Sequence, residues 1–395
     1  MEDPDSALKP GYTLDRYELL CQLASGGMAT VWLARMQGKR GFEKLLAVKT
    51  IKSELSGDPR FEEMFLDEAR IASGIHHPNV AQIIDLGEQD DILYLVMEWV
   101  DGESLAQIRR VAAKNGAKMP LGVALRVAAD SCAGLHAAHE LRDAGGKNVG
   151  VVHRDVSPQN ILVSTAGSVK IIDFGVAKAA NRLAPETRTG ILKGKLQYMA
   201  PEQALDHPVD RRADLWALGV CIYEIVADRM PFDGENQLSM LNKICSGEPP
   251  PPLGDDVPKA VKEIVAQALA RNPDDRFPTA AAMRRAIEAA IVELALPSSS
   301  EDLVAFVEAN LPERAIRREE IISRALKKAA ARAEEAAKVL TGTVRVAKDG
   351  GPVDSELVRA SELATRSSRR CRVRPSPSSS RLRARRRGHP EPTPR

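Results

Sequence analysis

Residues 153–160 read His-Arg-Asp-Val-Ser-Pro-Gln-Asn and lie between two apolar runs, 149–152 and 161–163. This pattern predicts a short polar loop between buried strands. Asp155 could accept a proton from a hydroxyl nucleophile, and Asn160 could bind a cation through its amide oxygen. A base beside a metal ligand suits phosphoryl transfer to an alcohol, because that chemistry depends on positioning and charge neutralisation. Asp and Asn residues also form turns, so the interpretation depends on the rest of the chain.

The composition is that of a soluble globular protein. The chain has 395 residues, of which 44% are apolar, enough for two or three packed units. The five cysteines are scattered and form no CxxC pair, so we expect reduced thiols rather than a disulfide or zinc framework. The N-terminus lacks the apolar core of a signal peptide, and the longest apolar helix candidates are too short to span a membrane. We therefore expect a cytoplasmic protein.

Charge is distributed unevenly along the chain. The formal net charge is +2, but residues 366–395 contain eleven Arg and one acid, so the rest carries 45 basic and 53 acidic residues. The body is therefore mildly acidic and the tail strongly basic. The tail has almost no apolar residues and no interleaved aromatic residues. We expect residues 342–395 to be a disordered Arg/Ser/Pro-rich segment, and specific nucleic-acid binding is disfavoured.

Short apolar runs predict five strands in the first hundred residues, at 17–23, 30–35, 45–51, 80–86 and 92–98. Between the first two lies Ser25-Gly26-Gly27-Met28-Ala29, a turn with little side-chain bulk. The turn could be an ordinary glycine hairpin turn. It could also be a flap whose backbone N–H groups approach a polyphosphate.

Lys49 and Glu68 are candidates for a charge pair in this half. Lys49 lies on one face of the strand 45–51, and the segment 58–75 that carries Glu68 has apolar residues at helical spacing. A functional pair would place Lys49 on phosphate oxygens, with Glu68 fixing its position. The alternative is an incidental surface pair that contributes under about 1 kcal/mol.

Helices dominate after a predicted hinge at 99–102. They are predicted at 105–114, 121–141, 215–227, 238–245, 259–271 and 279–296. A strand at 169–172 runs into Asp173-Phe174-Gly175, where Asp173 could be a metal ligand or part of an ordinary turn. The connection 176–197 contains Thr187 and Thr189 and is long enough to be functional or disordered.

These features occur in one order, from the small-residue turn through Lys49 and Glu68 to the 153–160 loop, Asp-Phe-Gly and Ala-Pro-Glu at 200–202. The ordered set is the signature of eukaryotic-like protein kinases. The chain resembles the bacterial Hanks-type serine/threonine protein kinases over residues 17–296. The resemblance implies an α+β fold of two lobes, a small β-rich N-lobe (16–98) with one main helix and a larger helical C-lobe (102–296). Residues 1–15 would be a flexible leader and 297–341 a helical extension.

The resemblance also implies ATP and Mg²⁺, which Mn²⁺ could replace, and a role for each site residue. Lys49 would bind the α and β phosphates and pair with Glu68, and Asp155 would be the catalytic base. Asn160 and Asp173 would bind the metal. Met97 would be the gatekeeper, with Glu98 and Val100 offering backbone hydrogen bonds to adenine. The other nucleotide-binding positions would be Leu23, Ala24, Ser25, Gly26, Gly27, Met28, Val31, Ala47 and Leu162.

The same resemblance assigns regulatory and structural positions. Arg154 would meet a phosphate on the activation loop, for which Thr187 and Thr189 are the candidate acceptors. Glu202 and Arg276 would tie the activation segment to the large lobe. Asp214 would also be structural.

The chain departs from the family pattern at four places. Ala24 and Ala29 stand where flap glycines are usual, and 143–150 is an insertion. Ser157 stands where serine/threonine kinases usually carry a lysine near the transferred phosphate, and Lys195 stands where a threonine that contacts that lysine is usual. We hypothesise a charge swap in which Lys195 supplies the catalytic cation that Ser157 lacks. Independent drift with some loss of rate is the alternative.

The extension contains a partial apolar stripe at Ile316, Ile321, Ile322, Ala325, Leu326, Ala329 and Ala333. We expect this helix to pack onto the large lobe, with dimerisation as the alternative.

The expected function is a serine/threonine protein kinase that acts on protein substrates and is regulated by activation-loop autophosphorylation, for which it could form a homodimer. Tyrosine specificity is disfavoured by the resemblance. A pseudokinase scaffold is an alternative that Ser157 and the altered flap favour and the intact Lys49, Asp155 and Asp173 oppose. A small-molecule phosphotransferase is opposed by the segment that ends in Ala-Pro-Glu, since this segment docks peptides in protein kinases.

Overall fold

The computed structural model describes residues 8–26, 29–51, 59–174 and 196–348. In its first part, six strands form an antiparallel sheet in the order β1-β2-β3-β4-β6-β5. The strands are β1 (Thr13–Leu14), β2 (Tyr17–Ser25), β3 (Ala29–Gln37), β4 (Glu43–Ile51), β5 (Ile83–Gln89) and β6 (Ile92–Glu98). The alternation of side chains along β3 and β4 gives the sheet two apolar faces.

Helix α1 (Pro59–Ser73) covers part of one face, where Phe65 and Ala69 pack with Leu95 and Met97. The opposite face buries a separate cluster that includes Leu14, Tyr17, Trp32, Val48 and Tyr94. The predicted small lobe with one main helix is confirmed.

The larger part is helical and contains a second, three-stranded sheet in the order β7-β8-β9. The strands are β7 (Gly102–Ser104), β8 (Ile161–Ser164) and β9 (Val169–Ile171). The helices are α2 (Leu105–Lys114), α3 (Leu121–His139), α4 (Pro201–Ala204), α5 (Arg212–Ala227), α6 (Gln237–Ser246), α7 (Lys259–Ala268), α8 (Ala280–Glu293), α9 (Ser300–Asn310) and α10 (Pro312–Lys348). Most of α3 and α5 is buried, because both helices are apolar around most of their circumference.

Several elements differ from the sequence prediction. Strand β5 begins at Ile83 and not at residue 80, because Val80 forms an isolated parallel bridge with Ile171 in the other lobe. The run 149–152 is not a strand, although Val151 and Val152 are buried. Short elements such as β1, β7 and α4 had no apolar period long enough to predict them.

The two helices after residue 296 pack on different surfaces. Helix α9 buries Leu303 and Phe306 in the core of the large lobe, and the Asn115 side chain donates a hydrogen bond of 3.1 Å to the Asn310 carbonyl. The first half of α10 packs instead on the N-terminal sheet, through Ala325 and Ala329. The prediction that the long helix packs onto the large lobe holds only for its start, where Arg314 and Arg318 pair with Glu103 and Asp101. Its apolar contacts are with the N-terminal sheet, which the sequence could not show, because alanine spacing does not identify which surface receives a helix.

The described chain divides after Ala330 into two units, and residues 331–348 of α10 belong to the second unit. None of the helices that the structure describes is long and apolar enough to span a membrane.

Candidate active site

The loop 153–160 is fixed by one buried acid, Asp214, near the start of α5. Its carboxylate accepts hydrogen bonds from the backbone N–H groups of His153 (2.8 Å) and Arg154 (2.7 Å). The same carboxylate lies 2.8 Å from Nε2 of His139 on α3. Arg154 has a φ of +62°, a conformation that non-glycine residues rarely adopt. The two bonds to Asp214 hold the loop in this conformation immediately before Asp155.

His153 links the loop to the end of β9. Its Nδ1 accepts a hydrogen bond from the Asp155 backbone N–H (3.2 Å), so the ring proton is on Nε2, which lies 3.0 Å from the Ile172 carbonyl. Burial lowers the pKa of His153, against the opposing effect of Asp214 and Asp155. The neutral ring of His153 therefore connects the backbone of Asp155 to that of Ile172, the residue just before Asp173.

Asp155 and Asn160 contact each other directly. The Asn160 amide nitrogen donates to the Asp155 backbone carbonyl (2.8 Å) and to its Oδ2 (3.0 Å). Since the amide nitrogen faces Asp155, the Asn160 amide oxygen is directed away from it and keeps its lone pairs for a cation. The Asn160 backbone carbonyl accepts a hydrogen bond of 3.0 Å from Ile172, which brings Asn160 close to Asp173 in the fold.

Lys49 on β4 joins this group from the other lobe. Its Nζ lies 3.0 Å from Oδ1 of Asp173, and the lysine side chain is only 14% exposed. Asp173 has a φ of +55°, which Asp tolerates better than most residues. The pair joins residues 124 positions apart and brings a cation, a carboxylate and the Asp155–Asn160 pair into one site.

The predicted adenine-binding residues belong to several elements of the two lobes. Ala47 and Met97 are buried in one cluster, which Val31 borders, and Val100 is also buried. The backbone N–H of Glu98 donates to the Gln82 carbonyl (2.8 Å), so this N–H is not available to a ligand. Leu162 lies on β8, paired with Ser104 of β7.

The flap is a hairpin between β2 and β3. Ala24 pairs with Val31 and Ser25 with Thr30, and the Gly26 N–H donates to the Ala29 carbonyl (2.9 Å). Leu23 precedes the turn on β2 and is exposed.

Several predicted site residues lie outside the described part of the chain. These are Gly27, Met28, Thr187, Thr189, Lys195 and the side chain of Glu68. Their roles, including the pairing of Lys49 with Glu68, stay predictions.

The predicted ion pair between Glu202 and Arg276 is confirmed. Arg276 makes a bidentate ion pair with Glu202, at 2.7 and 2.8 Å, and both side chains are buried. The guanidinium also lies over the Trp216 ring, 4.9 Å from its centroid. Gln203, the next residue of α4, donates to the Arg154 carbonyl (3.2 Å) and so connects α4 to the loop 153–160.

Comparison with known proteins identifies the family. The protein kinase domain model matches residues 17–286. The chain belongs to the protein kinase family. Members of this family use ATP and a divalent metal ion.

Relatives of this chain occur in several bacteria. It is 44% identical over 299 residues to the tyrosine-protein kinase MasK of Myxococcus xanthus, covering 75% of this chain and 46% of MasK. It is 41% identical over 273 residues to the serine/threonine-protein kinase PknA of Mycobacterium tuberculosis, covering 68% of this chain and 59% of PknA. The chain thus spans about half the length of these relatives.

The solved structures confirm the fold. The M. tuberculosis PknI kinase domain matches with a TM-score of 0.54 and 26% identity, covering 73% of this chain and 100% of the PknI domain.

The residues of this site fit a nucleotide and its metal. Among the described residues, no group of three or more His, Cys, Asp or Glu side chains could hold a metal ion by itself. Mg²⁺ normally uses one or two protein ligands together with substrate phosphates and water. Asp173 and Asn160 supply such oxygen ligands, and the ammonium of Lys49 beside them can meet phosphate oxygens.

Sequence reasoning missed how the catalytic loop is supported. His139 and Asp214 are 75 residues apart, and nothing in their local patterns indicates that they meet. It also missed a half-buried network in which Glu224 accepts from the Tyr198 hydroxyl (2.7 Å) and pairs with Arg109 (2.6 Å). The signal available in the sequence for this network was a charged residue within an apolar helix, such as Glu224 in α5.

Proposed function

We propose that this chain is a serine/threonine protein kinase that transfers the γ-phosphoryl group of ATP to hydroxyl groups of protein substrates. The observation that supports it is the connected set of Asp155, Asn160, Asp173 and Lys49. A scaffold without catalysis would have no need to keep a base, a metal ligand pair and a phosphate-binding cation in contact across two lobes.

Each residue has a role that follows from its contacts. Asn160 holds Asp155 through Oδ2, which fixes the carboxylate in place to orient the substrate hydroxyl and take its proton. The hydroxyl oxygen forms a bond to the γ-phosphorus while the bond to the β-phosphate oxygen breaks, and ADP leaves. Lys49 would move from Asp173 to the α and β phosphates. The bound metal supplies charge neutralisation, and Asn160 and Asp173 would hold it through oxygen atoms.

Mg²⁺ is the proposed metal, because the ligands are a carboxylate and an amide oxygen and include no thiolate or imidazole. Adenine would lie between Ala47 and Leu162, with Met97 behind it and the Glu98 carbonyl and Val100 N–H at the hinge. The flap, from Leu23 to Met28, would cover the phosphates.

Activation-loop phosphorylation is part of the proposal. Within the described part of the chain, the Arg154 guanidinium has no ion-pair partner, and its backbone is fixed by Asp214 and Gln203. A phosphate on Thr187 or Thr189 would add about two negative charges and could order the loop against this arginine. Autophosphorylation in trans would require a transient homodimer.

The test is a phosphorylation assay with Mg-ATP and a mixture of peptides that contain Ser, Thr or Tyr, analysed by mass spectrometry. We expect phosphate on Ser or Thr, and on Thr187 or Thr189 of the chain itself. Asp155→Asn should lower the rate by about 10²–10⁴-fold. Asp256→Asn, an exposed acid between α6 and α7, serves as the matched control and should leave the rate unchanged.

Tyrosine specificity is the second candidate. The 44% identity to a protein named as a tyrosine kinase favours it, as does Ser157 at the usual lysine position. Phosphate confined to the tyrosine peptides would establish this alternative. No phosphate on any peptide or on the chain would support the pseudokinase scaffold.

A further inference from the structure

Helix α10 begins on the large lobe and reaches the small lobe within its first five turns. Helix α9, immediately before it, is buried in the large-lobe core, and Leu311 between the two helices is buried there as well. Ala325 and Ala329 of α10 are 8% and 0% exposed, where they pack with Leu20 and Leu33 of the N-terminal sheet. These helices lie beyond residue 286, where the match to the family model ends.

The surface that receives α10 is the nucleotide face of the sheet. Leu33 on β3 is the direct cross-strand partner of Ala47 on β4, and Val31, two residues earlier, is the partner of Lys49. Side chains of directly paired residues lie on the same face and contact each other. Helix α10 therefore packs against the immediate neighbour of the residue proposed to contact adenine.

The same side of α10 also contacts residues 101–103, which follow the hinge and begin β7. Arg318 makes an ion pair with Asp101 (2.8 Å) and donates to the Gly102 carbonyl (3.2 Å). Arg314, one turn earlier, pairs with Glu103 (3.2 Å). Arg318 also lies 3.6 Å from Glu103, and both of these side chains are 17% exposed, so this pair is less screened by solvent than an ordinary surface pair. Asp101 and Arg314 are about half exposed.

Positions 318, 322, 325 and 329 follow helical spacing and lie on one side of α10. One rigid helix thus contacts the hinge strand at one point and the sheet above the cleft at another. Opening of the small lobe away from the hinge would require loss of one of these two contacts.

We propose that residues 312–330, here called the brace, hold the N-terminal sheet above the nucleotide cleft, here called the roof, at a fixed distance from the hinge. The brace thereby sets the affinity for ATP. Arg318 and Ala329 are positioning residues that act through Asp101 and Leu33. If the brace detaches, the roof samples open positions, and the apparent affinity falls with the fraction of molecules in the closed position. Val31 and Met97 belong to a separate apolar cluster around Ala47, so the apolar contacts of the brace lie beside the proposed adenine site.

The test uses the full chain and two pairs of matched variants. Ala329→Arg places a charge at the buried contact, and Ala330→Arg places it on the exposed neighbour. Arg318→Ala removes the hinge contact, and Arg317→Ala removes an exposed arginine that has no ion-pair partner among the described residues. The measurements are KM for ATP, KM for a peptide substrate, kcat, and the Kd for a non-hydrolysable ATP analogue.

We expect Ala329→Arg and Arg318→Ala to raise KM for ATP and Kd for the analogue about five-fold, with KM for the peptide unchanged and both controls normal. Arg318→Lys should recover part of the loss, because it keeps the charge. A lower melting temperature with unchanged ATP affinity would reduce the brace to a packing element and overturn the proposal. A rise in activity would identify it as an inhibitory segment instead. The experiment depends on the proposed kinase activity only for KM and kcat: if the unaltered chain shows no turnover, that proposal fails, and the Kd values still decide the brace.

Discussion

At the scale of single residues, Ser157 is the least explained side chain of the active site. It is 3% exposed, and its hydroxyl has no hydrogen-bond partner among the described residues. A buried hydroxyl without a partner costs about 1–3 kcal/mol, so proteins rarely leave one unsatisfied. Under the hypothesis that Lys195 and Ser157 exchange roles, Lys195 would supply the cation near the transferred phosphate. The Ser157 hydroxyl would then take the role of the usual threonine hydroxyl.

The charge swap predicts a specific double-mutant result. Lys195→Thr should lower kcat by about 10²-fold, since it removes one cation that stabilises the transferred phosphoryl group. Adding Ser157→Lys should restore most of that loss. Lys193→Thr, two residues away in the same segment, is the control and should have little effect. If the double variant is no faster than Lys195→Thr alone, the two positions drifted independently.

At the scale of elements, the connection of α4 to the large lobe depends on the Glu202–Arg276 pair. Breaking a buried ion pair on one side leaves a buried charge without its partner and typically costs about 3–5 kcal/mol. We expect Arg276→Met to destabilise the large lobe by this amount, measured by urea unfolding followed by far-UV circular dichroism. Arg284→Met breaks a half-exposed pair with Glu288 on α8 and should cost about 0.5 kcal/mol or less. Equal losses in the two variants would show that Arg276 contributes no more than a surface charge.

The elements also show how far the sequence could lead. Long periodic segments and the ordered kinase residues predicted both lobes and the positions of Lys49, Asp155 and Asp173, because each signal is local. The sequence could not show that Lys49 lies against Asp173, since the contact depends on how two lobes meet. It also could not show that Ala325 and Ala329 are buried. Alanine is common on exposed helix faces, whereas the larger Ile316 and Ile321 of the same predicted stripe are exposed.

At the scale of the whole molecule, the nucleotide should stabilise both lobes together, because its proposed contacts come from each. Ligand at 100 times its Kd stabilises a protein by about 2.7 kcal/mol, which is roughly 4–5 °C in Tm for a domain of this size. We expect this shift with Mg-ATP in a thermal unfolding experiment, and a smaller one when EDTA removes the metal. Lys49→Met should abolish most of the shift, while Lys44→Met, exposed on the same strand, should retain it. A full shift in Lys49→Met would exclude Lys49 from phosphate binding.

The position of α9 and α10 has a practical consequence for anyone who shortens this protein. A chain ended at residue 286, the border of the family match, would uncover Leu20 and Leu33 on the small lobe and the site of Leu303 and Phe306 on the large one. Large uncovered apolar patches promote self-association. Poor solubility of such a fragment would then reflect the choice of border and not an unstable catalytic domain. The border that keeps these surfaces covered lies near Ala330.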